Sequence, residues 1–483
     1  MKKENFAFNV LIRLATGILL DLKSFILLPL IAKNLGPKEY GIWTQVVVSL
    51  GLLVPILMLR LDTASIRYLP SKREEVFSQH FFSMLFLILF SLIIIILLMF
   101  FLKEKIAIFL FGDEKQILYV NLFLSLLFIR VLYTFLHNYY RILNQICKYS
   151  IIEILATFFS LLLGIIFVFW GGKLEKVILS FIIVEGFGSF LIIFDIINSK
   201  GFPLKLSFKE ILPYLYYSLP LIPISILFWI VEYSDRYVII HFLDISKVGV
   251  YSASYSLGKF VNIFLTPISF VLFPTISKLW EEKEEKEVKE YLQDSLKYYL
   301  ILAIPSCFLI FYFAPYLLRL LATEVFVTKR TLILFILGGY LFAGIYQIYV
   351  SIILLKEKTK YLPFSFLFAA LLNLGLNFLL VPKIDIIGAA VATFISYFFL
   401  AIIILTFSYK LFKVTIGIKF TGKIIGSSLI MLLTLRWFSP KGVLEIVSVA
   451  SLGGVVYSIL LILFRVIGRK ELYFLKSMLK KDS

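Results

Sequence analysis

FFSMLFLILFSLIIIILLMFFL, residues 81–102, carries no charged side chain. A membrane span needs about 20 predominantly apolar residues. A helix satisfies all of its backbone hydrogen bonds within itself, so lipid can surround it. The stretch therefore reads as a transmembrane helix. The same signal recurs outward along the chain, at roughly 7–32, 41–66, 80–102, 116–141, 150–170, 174–198, 211–242, 246–276, 295–320, 329–355, 361–381, 386–410, 420–438 and 443–467. The first of these is too long for a cleaved signal peptide, carries Asp21 and Lys23, and has no A-x-A site after it.

Composition agrees. The 483 residues are 61% hydrophobic and 16% charged, with a mean hydropathy of +0.97, whereas soluble domains run near 45–50% apolar and about 25% charged. These values exclude a cytosolic enzyme, a disordered scaffold and a disulfide-rich module. They also exclude an outer-membrane barrel, whose alternating strands average to modest hydropathy. Cys147 and Cys307 are far apart, and His80, His137 and His241 are scattered, so neither a disulfide nor a zinc site is expected. No P-loop, nucleophile elbow or H-E-x-x-H occurs, and the expectation is a protein that is not an enzyme. The net charge of +18 is spread over short loops between apolar runs, which is the pattern of membrane topology and not of nucleic-acid binding. With the N-terminus inside, Lys and Arg favour the cytoplasmic loops by roughly two to one, so both termini are expected in the cytoplasm.

An internal repeat organises the spans. LGPKEYGIW (Leu35–Trp43) matches LDISKVGVY (Leu243–Tyr251) at an offset of 208, and QICKYS from Gln145 echoes EKTKYL from Glu357 at 212. The expected architecture is an all-α polytopic membrane protein of about fourteen spans. Residues 1–200 form an N-terminal lobe (spans 1–6) and 201–415 a C-terminal lobe (spans 7–12). The lobes are related by a pseudo-two-fold along the membrane normal, with accessory spans at 416–467 and a basic cytoplasmic tail at 468–483. WEEKEEKEVKEYLQDSLKYYL, from Trp280, reads as a charged helix leading into span nine. Leu472, Leu475 and Leu479 of the tail share one face among lysines, as in an interfacial helix on anionic lipid.

Charges inside lipid are expensive and normally face a cavity or a partner. Arg13, Gly17, Asp21 and Ser24 share a face of span 1, with Thr16 and Lys23 at its margin. Gln45, Ser49, Arg60, Thr63 and Arg67 form a stripe on span 2. Ser218, Ser225, Glu232 and Arg236 do so on span 7, with Asp235 beside them, and Ser252, Ser256, Lys259 and Thr266 on span 8. Span 4 places Arg130, Thr134, His137 and Arg141 at i, i+4, i+7 and i+11. The expectation is a water-accessible cavity in which Arg13, Lys23, Arg60, Arg130, Arg236 and Lys259 attract an anion such as a phosphate. Asp21, Glu232 and Asp235 are candidates for a coupling proton or sodium ion. Other readings stand beside this one. Arg13, Arg60 and Arg67 lie where they can snorkel to headgroups, Glu232 and Arg236 are spaced for a structural ion pair, and His137 fits a packing role as well as a titrating one. Prolines such as Pro55, Pro220 and Pro267 either bend spans for motion or only shape them.

LGPKEYGIW, LRLDTASIRYLP from Leu59 and SDRYVIIHFLDISKVGVYSASY from Ser234 together resemble the polysaccharide-biosynthesis (Wzx-type, O-antigen) flippases. These belong to the multidrug/oligosaccharidyl-lipid/polysaccharide exporter superfamily. The resemblance covers essentially the whole chain. It implies two six-helix lobes around a V-shaped cavity, and export of an undecaprenyl-pyrophosphate-linked oligosaccharide across the bacterial inner membrane, as in lipopolysaccharide assembly. Transport would run by alternating access without ATP, on an ion gradient and with no other cofactor. The implied partners are the lipid-linked oligosaccharide, membrane lipids, a polysaccharide polymerase and glycosyltransferases. A lipid II flippase and a drug/cation antiporter share the architecture. LATGILLDLKSF in span 1 lacks the Ser-Asp-Ala-Phe-like stretch of the first, and the excess of Lys and Arg argues against the second. A membrane-embedded glycan polymerase would need a large outer loop, which this chain lacks.

Overall fold

The computed structural model describes residues 12, 13, 15–17, 19, 20, 23, 25–203 and 205–466. Asp21, Ser24 and the tail helix expected at 468–483 lie outside the described residues. The described residues are helical and contain no strand. After a π-helical turn at Leu28–Lys33 come α1 (Pro37–Leu57), α2 (Leu61–Tyr68), α3 (Glu74–Phe101), α4 (Lys103–Phe111), α5 (Ile117–Ile142), α6 (Ile146–Phe169), α7 (Leu174–Lys200), α8 (Leu212–Ser218), α9 (Leu221–Phe242) and α10 (Ile245–Gly258). Then follow α11 (Leu265–Glu281), α12 (Glu285–Leu321), α13 (Arg330–Leu355), α14 (Tyr361–Ile384), α15 (Ile386–Leu411), α16 (Ile418–Leu435) and α17 (Val443–Leu463). Among the described residues, thirteen helical segments are long and apolar enough to cross a membrane. The protein is thus an all-α polytopic membrane protein. The expected first span, 7–32, includes residues outside those described.

Packing groups the chain into two units. One comprises residues 1–252 and 374–389, the other 253–373 and 390–483. The repeat blocks 1–200 and 201–415 are defined by sequence similarity and these units by contact, so the two divisions are different objects.

In the first unit, several expected spans are broken, for local reasons. Pro55 lies in the last turn of α1, and Leu59 and Arg60 follow with φ of 51° and 52°. The Arg60 N–H turns back to the Pro55 carbonyl (3.1 Å), which caps the helix end. The run 41–66 is therefore two helices, α1 and α2, and 211–242 is likewise divided at Pro220 into α8 and α9. The two repeat motifs open α1 and α10. Gly36 takes φ 90°, which favours glycine, and Pro37 occupies the first helical position. At the corresponding place before α10, Asp244 caps instead, its Oδ1 accepting from the Lys247 N–H at 3.0 Å. The motif glycines then meet. A Cβ on Gly41 would lie 2.0 Å from the Ile245 carbonyl oxygen, and one on Gly249 would lie 2.1 Å from that of Pro37. Pro37 and Ile245 are themselves equivalent at the offset of 208, so the contact is reciprocal. Elsewhere in this unit, α5 packs on α7 and α6 on α7. The segment between α7 and α8 runs along α3. Ser78 donates to the Gly201 carbonyl (3.1 Å), the Ser207 N–H to Ser83 (2.9 Å), and His80 bridges Tyr214 and Glu210.

In the second unit, α12 is the central helix. Its 37 residues extend about 55 Å, and its first turn carries Glu285 and Glu287 at the positive end of the helix dipole. The charged helix expected from Trp280 begins at Glu285, because Lys283 takes φ 62° between α11 and α12. The Tyr299 hydroxyl reaches the carbonyls of Tyr340 (3.2 Å) and Leu341 (3.3 Å) on α13, in space left by Gly344. The last two spans, α16 and α17, also pack on α12, and the Tyr457 hydroxyl donates to the Ile301 carbonyl at 2.8 Å.

Candidate functional site

The polar face of α5 is the foundation of the site. Arg130, Thr134, His137 and Arg141 fall in one row because three and four residues bring a helix round to the same side. α6 contributes Tyr149, Glu153 and Thr157, α7 contributes Phe181 and Glu185, and α2 contributes Asp62. With Lys23 they line a cavity of about 400 Å³ inside the first unit.

Arg130, Lys23, Glu153 and Glu185 in the wall each have a defined neighbour. Arg130 meets Glu185 as a fork, Nε to Oε2 at 2.6 Å and Nη2 to Oε1 at 2.5 Å. This is the bidentate geometry that strengthens such pairs. Arg13 donates to Glu153 and stands 5.2 Å from the Tyr149 ring centroid. The Lys23 ammonium lies 4.4 Å from the Phe181 ring centroid, a cation–π contact. His137 Nε2 faces the Tyr149 carbonyl at 2.9 Å. A carbonyl only accepts, so this nitrogen carries a proton. The imidazole stacks between Tyr133 (5.4 Å, 8° between planes) and Tyr149 (4.0 Å, 21°). Asn138 donates to the Asp62 carbonyl (3.0 Å) and holds α2 against α5. The Tyr133 hydroxyl and Asp62 Oδ1 are buried in this wall without a hydrogen-bond partner among the described residues. A buried polar atom left so is costly, and a hydroxyl-rich or cationic guest would satisfy it.

The residues read from sequence go to different places. Lys23 and Arg130 line the cavity, and Arg13 pairs with one of its carboxylates. Arg60 is not among its lining residues and sits at the α1–α2 break, its Nε buried without a partner among the described residues. Arg236 is 3% exposed. Its Nη1 donates to Asp235 Oδ1 (2.7 Å) and to the Glu232 carbonyl (2.9 Å), while Asp235 also accepts from the Tyr251 hydroxyl. Glu232 is buried in the same helix, α9. Lys259 lies in the second unit, exposed, at the start of a 3-10 stretch, Lys259–Phe264. Asp21 is outside the described residues.

Glu153 and Glu185 were absent from the sequence reading of the site, whereas Arg141 stood in the polar stripe of span 4. The two glutamates did carry a signal, since a carboxylate deep in an apolar run demands a cation nearby. They alter the electrostatics. Lys23, Arg130 and Arg141 in the wall are matched by Asp62, Glu153 and Glu185, so this cavity does not show the cationic excess expected of a purely anion-attracting one.

Comparison with known proteins adds a family. The family described as polysaccharide biosynthesis protein matches residues 5–280, and the MatE family matches residues 220–379. A Methanocaldococcus jannaschii protein, uncharacterized membrane protein MJ1068, is 27% identical over 191 residues, 38% of this chain and 36% of its own. The Haloferax volcanii protein named probable low-salt glycan biosynthesis flippase Agl15 is 23% identical over 193 residues, 40% of this chain and 41% of its own. The match thus spans about two fifths of the length of these curated relatives. Among solved structures, lipid II flippase MurJ in an inward closed conformation superposes with a TM-score of 0.75 at 20% identity, covering 96% of this chain and 100% of that one. At that identity the likeness is one of fold.

Proposed function

Since the chain belongs to the polysaccharide biosynthesis protein family, we propose that it is a flippase that moves a lipid-linked oligosaccharide between leaflets by alternating access. The observation that carries this reading is the Arg130–Glu185 fork in the wall of a polar cavity inside the helical bundle. The printed names of two relatives, a glycan biosynthesis flippase and a lipid II flippase, support it. The carrier we assign is undecaprenyl pyrophosphate and the membrane the bacterial inner membrane, with both termini cytoplasmic.

The chemistry follows from the donors. A phosphate presents the same paired oxygens to a guanidinium as a carboxylate does. An arriving pyrophosphate displaces Glu185 from Arg130 and takes Lys23 as a second, mobile point charge. The freed Glu185 carboxylate then accepts from sugar hydroxyls or takes up the coupling cation, a proton or sodium ion. The unpartnered Tyr133 hydroxyl and Asp62 carboxylate oxygen would also meet sugar hydroxyls. Charge exchange of this kind lowers the cost of carrying a charged head through the bilayer centre, which is the physical obstacle to flipping.

The test uses purified protein in liposomes with a fluorescent undecaprenyl-pyrophosphoryl oligosaccharide, flipping being read as loss of accessibility to an impermeant quencher. Each charged hydrogen bond is worth about 1.5–3 kcal/mol, so Lys23→Ala with Arg130→Ala is expected to slow flipping by at least about tenfold. An unchanged rate in a folded double variant sinks the assignment. A second reading, a drug/cation antiporter, is favoured by the three wall carboxylates and by the MatE match. Extrusion of a cationic dye with no glycolipid flipping would select it.

A further inference from the structure

A second cavity in the first unit has the opposite character. It measures about 930 Å³ and is lined by α1, α4, α5, α9 and the C-terminal part of α14, with Leu53, Phe109, Trp229, Val238 and Phe378 among its apolar walls. The hydroxyls of Ser49 and Tyr237 and the indole of Trp229 in its wall are already engaged. The Ser49 hydroxyl donates to the Gln45 carbonyl (2.6 Å), so the Tyr237 hydroxyl donates to Ser49 (2.7 Å). The Trp229 indole N–H donates to the Val48 carbonyl (2.9 Å). Such walls offer water and sugar little, and an apolar void of this size left empty forfeits packing. The lining contains two basic side chains, Lys105 and His241, both exposed, and no carboxylate. No ion-pair partner is found for Lys105 among the described residues. On the same helix, α4, Phe109 is 65% exposed, as suits a side chain turned toward lipid.

We propose that this cavity is a binding slot for an anionic phospholipid of the bilayer, with one acyl chain between α1, α4 and α9 and the phosphate on Lys105. Charge complementarity decides the headgroup, since a lysine near a membrane surface favours anionic lipid by an amount equivalent to about fivefold in affinity. The bound chain would fill the space between α1 and α9, the helices joined by the Ser49–Tyr237 bond. The assignment is independent of the flippase reading.

Trp229 supplies the probe. Full-length protein is titrated in mixed micelles with brominated phosphatidylglycerol or brominated phosphatidylcholine, and the quenching lost in Trp229→Phe is taken as the signal from the slot. Phosphatidylglycerol is expected to quench at about fivefold lower mole fraction. Lys105→Glu, at an exposed position, is expected to abolish that preference, and Leu53→Phe with Leu374→Phe to reduce quenching by either lipid. Equal quenching by the two lipids in the unaltered protein, or a preference that survives Lys105→Glu, overturns the proposal. So does displacement of brominated phosphatidylglycerol by undecaprenyl phosphate at a lower mole fraction than by phosphatidylglycerol itself, which would make the slot a site for the substrate's tail.

Discussion

Glu185 decides whether the Arg130 guanidinium is stabilised or stranded. Its side chain is 7% exposed, and both of its oxygens are taken by Arg130. Removing one partner of a buried pair leaves an uncompensated charge, whereas replacing both by apolar residues is often neutral. Glu185→Leu is therefore expected to lower stability by about 3 kcal/mol, read from thermal unfolding in detergent. Arg130→Met added to it should restore most of that loss. The double variant should still fail to flip glycolipid, which separates a functional charge from a merely structural one. At this scale the sequence was half legible. Lys23 and Arg130 stand out as charges within apolar runs. Their counterions stand out equally, but helical phase says only which way a residue faces on its own helix. It does not say that α7 lies against α5, so the pairing with Glu185 could not be read. The same blindness applies to Arg236, whose stripe resembles a cavity lining but whose guanidinium lies buried against Asp235 and Tyr251.

Among the elements, the approach of α1 to α10 has the least tolerance. The two motif glycines were legible as a repeat, and the turn before each helix was legible from Gly-Pro and from Asp. The reason for glycine inside the motif was not, because backbone against backbone leaves no trace in hydropathy. Gly249→Val places branched carbons where the Pro37 carbonyl stands, and overpacking of this kind costs about 1–3 kcal/mol. We expect faster amide exchange across 37–41 and 245–249 in that variant, with little change in α12. Gly442, with open space around it, is the control position, and Gly442→Ala should leave exchange unaltered. The breaks within spans 2 and 7 were foreshadowed by Pro55 and Pro220. In span 2 the division into two helices also depends on the left-handed turn at Leu59 and Arg60, which no residue type in that pair announces.

For the whole molecule, the spans were the most legible feature, because lipid imposes length and hydropathy on each helix independently. Most of the expected boundaries fall within a few residues of the helices seen, as 116–141 does of α5. Topology is checked by fusion. Alkaline phosphatase joined after Lys115 is expected to be active and after Lys209 inactive, and the reverse pattern would place both termini outside. The partition into packing units was not legible, since it depends on which helices touch. The contact at Gly41 and Gly249 carries a last consequence, over generations and not over a transport cycle. Each glycine is the clearance its counterpart's backbone needs, so neither copy of the motif is at liberty to drift alone. Both positions already hold the smallest residue, so a larger one at either forces the two backbones apart, and a substitution in one half is felt at once in the other.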